Sequence, residues 1–218
     1  MIVPSMTIQN IHKELYSDLE NIRAKLDFYN KDFGRKVLKA SRHPFSHIYE
    51  YRTKEKKNLF VITFTSLKRS AWKKPILSIY SRPEGNYVAA PLIELGETSI
   101  FLPHFFKRYR ERIVKDDTIS NIDIIKRYFK NEWGFMGAIV DEEFKAVYHS
   151  FENDNKEDKV SFVGAVAEGY FFGERQGHIN VFKTIISEEM LFDNQKKLFL
   201  ILREDFIRKN KEKYSVEL

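Results

Sequence analysis

The 218-residue chain contains no cysteine. That absence excludes disulfides, Cys-ligated zinc, iron–sulfur clusters and thiol nucleophiles together, and it fits a reducing compartment. Long apolar runs are missing as well. Segments such as Leu59–Phe64 are far too short to cross a bilayer. Residues 1–10 have neither a basic n-region nor a long apolar h-region, so no secretory signal is expected there. The expected setting is cytoplasmic, with no membrane association. No internal repeat or low-complexity linker is present. The chain also lacks HExxH, Walker, GxGxxG and GxSxG patterns, so neither a cofactor nor a metal is expected. His43 and His47 have a metal-like spacing, but Pro44 interrupts any helix between them. No acid lies within that motif, and a structural turn is the expected reading.

What the chain has in quantity is aromatic side chains and charge of both signs. Apolar residues are 43% and charged residues 31%, a balance that supports a packed core. With 19 Phe and 11 Tyr, that core is bulky and tolerates little thinning. Lys and Arg number 37 against 31 Asp and Glu, for a net charge of +6. A surplus this small permits a polyanionic partner without demanding one.

Periodicity sets the order of elements. From Thr7 to Phe33 the apolar residues Ile8, Ile11, Leu15, Leu19, Ile22, Leu26 and Tyr29 recur at steps of three and four, which predicts a helix. Gly34 is expected to end it, with a short second helix over Arg35–Ser41. His47–Tyr51, Leu59–Thr65, Ile76–Tyr80, Tyr87–Pro91 and Thr98–Leu102 are short and rich in β-branched and aromatic residues. Polar loops separate them, as in an antiparallel meander. Pro103 suits the first turn of a helix, and Phe105–Val114 and Ile119–Trp133 read as helices, the second with Ile122, Ile125, Tyr128 and Phe129 on its apolar side. Val160–Val166, Ala167–Glu174 and His178–Ser187 read as strands, with an inserted polar loop expected over Glu152–Asp158. Ser187 is expected to cap a last helix running from Glu188 to about Lys213. The fold class is α+β: N-terminal helices, an antiparallel sheet interrupted by helices, and a long C-terminal helix. Residues 1–98 form a helix-plus-meander region and 99–218 a second α+β region, unless the two make one continuous domain.

Two stretches could carry chemistry. On a helix, His104, Arg108 and Arg112 fall four residues apart and form one polar stripe, beside an apolar stripe of Phe105, Phe106, Tyr109 and Ile113. The positive end of the helix dipole disfavours an imidazolium at His104. A neutral imidazole can move a proton near pH 7, and each guanidinium can hold a phosphate in a bidentate way. The bland alternative is an ordinary Arg-rich solvated face. In the last strand, alternation places His178, Asn180, Phe182, Thr184 and Ile186 on one face, so Asn180 and Thr184 could address a ligand together. The competing reading is that Thr is simply a common strand residue. The loop Lys68–Lys74 joins cations to Trp72, either to stack a base or as a solvated hairpin end.

The helix with His-x3-Arg-x3-Arg and the Gly-containing hairpin ending in Lys183–Thr184 together resemble the barnase–EndoU–colicin–RelE group of ribonuclease toxin domains. The likeness covers Pro103–Ile113 and Gly164–Ser187. It implies metal-independent RNA cleavage, with His104 as the acid–base group, Arg108 and Arg112 at phosphate-binding positions, and Thr184 as the terminal-strand polar residue. The N-terminal region and the long final helix are additions to that pattern. The implied partners are RNA and an antitoxin or other protein. The alternatives are a non-catalytic nucleic-acid- or protein-binding module and a structural protein of a mobile element.

Overall fold

In the computed structural model, residues 1–83, 85, 87–140 and 159–214 are described; the expected loop at 152–158 lies outside them. Helix α1 spans Ile8–Lys39 without interruption. Thr7 is its N-cap, its hydroxyl accepting the Asn10 amide at 3.2 Å. Gly34 therefore does not end the helix. Its role is close approach: the Trp72 indole lies against it, and a Cβ at this position would sit 2.5 Å from the ring.

The meander follows as β1 (Phe45–Arg52), β2 (Leu59–Ser66), β3 (Ile76–Ser81), β4 (Val88–Leu92) and β5 (Glu97–Phe101). Pro103 opens α2 (Pro103–Tyr109), which widens into a π turn over Arg110–Val114. Next come α3 (Asn121–Asn131), β6 (Met136–Ile139), β7 (Val160–Val166), β8 (Gly169–Gln176), β9 (Ile179–Ile186) and α4 (Asp193–Tyr214). The nine strands form a single sheet in the order β1-β2-β3-β4-β5-β9-β8-β7-β6. Neighbours are antiparallel except at one seam, where Thr98–Phe101 of β5 runs parallel to Ile179–Phe182 of β9. The sheet is thus mixed where alternation alone predicts an antiparallel one. A parallel pair needs a long crossover, and residues 102–178 supply it.

Helices cover both faces. On one face α1 buries Ile11, Leu15, Ile22, Phe33 and Val37 against Phe60, Ile62, Phe64 and Ile100. Farther along the same face, α4 sets Phe199, Leu202 and Phe206 on Val163, Tyr170 and Phe172. The opposite face carries α2 and α3, whose Phe105, Phe106, Tyr109, Tyr128 and Phe129 pack on Phe101, Phe171 and Phe182. Stacked rings cross the seam, with Phe101 and Phe182 centroids 4.4 Å apart. Among the described residues no helix is long and apolar enough to cross a membrane.

Two helices differ in detail from the sequence reading. In α3 the buried residue is Ile124 and not Ile122, which is 41% exposed, because the inward side is set by Ile124, Ile125, Tyr128 and Phe129. The final helix does not begin at Glu188. Residues Glu188–Met190 make one 3-10 turn, Ser187 provides no side-chain cap bond, and the chain then turns Leu191 into the core before α4 starts. Since the Phe106 ring is buried at the centre of the aromatic cluster, Phe106→Ala should cost about 3–5 kcal/mol. Chemical denaturation measures this; an unchanged midpoint would place the ring outside the core.

Candidate functional site

The site is built where β5 leaves the sheet. Leu102 donates its amide to the Phe182 carbonyl at 3.1 Å, and Pro103 then starts α2 across the end of the seam. Phe105, Phe106 and Tyr109 are buried, which turns His104, Lys107 and Glu111 outward. His104 fronts an open groove of about 480 Å³ between α2 and the start of α3, lined also by Phe106, Lys107, Arg110, Glu111 and Asp117. Cations and acids are mixed there.

His104 and Arg108 meet as the four-residue spacing requires. The Arg108 Nε donates to His104 Nε2 at 3.1 Å, and its Nη1 donates to Glu111 at 2.7 Å. Partial burial lowers the His104 pKa, and Arg108, Arg112 and Lys107 lower it further, against a smaller opposing effect of Glu111. The imidazole is therefore neutral near pH 7, and its Nε2 lone pair is engaged. The Arg108 hydrogen bond in turn holds the Glu111 carboxyl below its ordinary range.

Arg112 stays near enough to lower the His104 pKa, but its hydrogen bonds go to β9. The π turn begins at Arg110, so the strict four-residue step stops before it. Arg112 reaches the stretch of β9 that extends past its pairing with β5, donating to the Ile185 carbonyl at 3.1 Å and to the Thr184 hydroxyl at 3.4 Å. The four candidate residues thus form two pairs, His104 with Arg108 and Arg112 with Thr184. The shared face expected for Asn180, Phe182 and Thr184 is not observed. A β-bulge pairs Gly173 with Phe182 but Phe172 with Thr184, leaving Lys183 as the extra residue. Ile185 consequently joins the core of Phe182, and Thr184 turns to the other face. Gly173 is required here, because a Cβ on it would lie 2.0 Å from the Val181 carbonyl oxygen.

Behind α2 lies a polar cluster that the sequence reading missed. Tyr109 donates its hydroxyl to Glu168, and Tyr128 lies beside Glu132. Among the described residues neither buried Glu132 oxygen has a partner in good hydrogen-bond geometry, although the Tyr128 hydroxyl and the amides of Trp133 and Gly134 lie near enough to act on it. Burial raises the Glu132 pKa to about 8, and the nearby Glu168 adds to the rise. The only signal in the sequence was an acid four residues after Tyr128, in line with the buried side of α3. Among the described residues, no group of three or more His, Asp and Glu side chains converges as a metal site would require.

The chain matches no family profile, no curated protein and no solved structure.

Glu132 gives a pH prediction. Its folded-state value lies above the ordinary 4.5, so the unfolded chain releases this proton first. Its contribution to stability should be complete below about pH 4.5, fall as the pH rises, and level off above about pH 8. Glu132→Gln should flatten that decline in denaturation midpoints measured across the range. Parallel pH profiles for wild type and variant would contradict the assignment.

Proposed function

We propose that the chain binds RNA along the exposed side of α2 and cleaves it through the ribose 2′-hydroxyl, with His104 moving the proton. The observation that supports this reading is the neutral imidazole beside Lys107 and Arg108 at the mouth of an open groove. An incoming phosphate competes with Glu111 and with His104 Nε2 for the Arg108 guanidinium. Once Arg108 turns to the phosphate, the Nε2 lone pair is free. His104 then takes the 2′ proton as the 2′ oxygen attacks the adjacent phosphorus. The bond to the 5′ oxygen breaks, that oxygen takes a proton from water, the His104 imidazolium returns its proton to solvent, and a 2′,3′-cyclic phosphate remains. Arg108 and Lys107 offset the charge that develops on the phosphoryl oxygens. Arg112, committed to the Ile185 carbonyl, is in this reading a positioning residue that fixes α2 against β9, with Thr184 as its second acceptor. A cytoplasmic setting goes with this role.

A second reading is RNA or acidic-protein binding without cleavage, an antitoxin being one such protein. One observation favours it: Arg108 already occupies the nitrogen that would accept the proton.

Binding and cleavage assays in EDTA separate the two. RNA affinity should fall steeply with added salt, and Arg108→Ala should lower the slope by about one. His104→Ala should reduce cleavage by about 10²–10⁴-fold while keeping most of the affinity. RNA bound but left intact across neutral pH supports the binder, and no RNA affinity at low salt removes both RNA readings and leaves acidic-protein binding.

A further inference from the structure

The Lys68–Lys74 loop is not used by the α2 site, and its placement makes a second surface. The 3-10 turn Arg69–Lys73 leans over α1 and rests Trp72 on Gly34. Together they wall an apolar groove of about 480 Å³ along the outer side of α1, on the helix stripe Phe28, Lys31, Arg35 and Leu38. These four positions follow steps of three, four and three, so one face of the helix carries them over about 15 Å. Phe28 is 58% exposed and Leu38 43% exposed, apolar surface left open at both ends of the groove. Exposed apolar surface arranged in this way is a mark of a binding site.

The charged residues that line the groove are both cationic. Lys31 and Arg35 line it, and the wall segment contributes Lys68, Arg69, Lys73 and Lys74 with no acid in that stretch. Among the described residues Lys31, Lys68, Arg69, Lys73 and Lys74 have no carboxylate partner, and Arg35 has only Asp32 at 3.5 Å. Base stacking would need an open indole, but the Trp72 ring lies against Gly34 and the Lys73 ammonium sits 5.8 Å from its centroid. A groove about three helical turns long, whose mostly apolar lining carries Lys31 and Arg35 between Phe28 and Leu38, instead fits an amphipathic helix with acids beside its apolar residues.

We infer that the α1–Trp72 groove is a docking site for an acidic amphipathic helix of a partner protein, independent of the α2 site. The partner's apolar residues at helical spacing enter between Phe28, Trp72 and Leu38. Its Asp and Glu side chains meet Lys31, Arg35 and the loop lysines.

The test uses the full chain and random peptides about four helical turns long. Peptides are selected on wild type and counter-selected on the double variant Lys31→Glu, Arg35→Glu. Both substitutions are at solvent-facing positions, and a thermal melt checks that the variant folds. Because the chain lacks cysteine, Ala24→Cys, exposed one turn before Phe28 and outside the lining, carries a single environment-sensitive dye that reports occupancy of the groove. The expected result is a set of peptides rich in Asp and Glu, with apolar residues at three- and four-residue steps, that shift the dye. These should lose at least about tenfold in affinity on the double variant and weaken with salt. Phe28→Ser, a second exposed change, should weaken the same peptides. The inference is overturned if no variant-sensitive binders emerge, or if the binders carry no net negative charge. It is also overturned if a single-stranded RNA loses affinity on the double variant and displaces the peptides, or if sedimentation shows two copies of the chain joined through this face.

Discussion

Everything distinctive in this fold depends on four residues of parallel pairing between β5 and β9. Without that seam the meander β1–β5 and the antiparallel set β6–β9 would be two sheets, each with an exposed edge. Side chains fix the seam on both faces. On the α2 face, Glu97 takes a two-pronged ion pair from Arg175 and a hydrogen bond from Asn180 at 3.1 Å, and the Phe101 and Phe182 rings stack farther along. On the α1 face, the Tyr16 hydroxyl donates to the Glu97 carbonyl at 2.7 Å and His12 meets Thr98 at 2.7 Å. Glu97 and Asn180 are largely removed from water, so losing Arg175 would strand them; this interlock stabilises one register.

The seam also builds the candidate site. It ends at Phe101, which leaves Lys183–Ile186 of β9 without a strand on that side. The chain turns there into α2 through Pro103, and Arg112 satisfies the Ile185 carbonyl that the missing strand leaves open. The placement of His104 and Arg108 on the outer side follows from burying Phe105, Phe106 and Tyr109 inward. A structural guanidinium and a solvent-facing His–Arg pair thus occur on one short helix. Their difference arises from the π turn that separates Arg108 from Arg112.

The sequence was legible where periodicity was local and unbroken. The five strands of the meander, the Pro103 start and the apolar stripe of α2 all follow from spacing. What was not legible came from contacts distant in sequence. Gly34 reads as a helix stop in isolation, and only the indole from residue 72 explains a glycine within a helix. The parallel seam joins strands about eighty residues apart, and no local pattern encodes it. The bulge at Lys183 reverses the face of Thr184, and its cause is the Gly173 backbone on the neighbouring strand. Glu132 falls at the end of the predicted helix Ile119–Trp133 with no local pattern to mark it as buried, and tertiary packing buries it.

The account of function rests on His104 being a neutral base whose lone pair is held by Arg108 until phosphate arrives. Its most direct test is an NMR titration of the His104 ring protons, assigned through His104→Gln, with and without a non-cleavable 2′-deoxy-substituted RNA oligonucleotide. The account predicts a midpoint below the ordinary imidazole value in the free protein, and ring resonances that move when the oligonucleotide is added. A midpoint at or above the ordinary value, with resonances indifferent to the oligonucleotide, would contradict it.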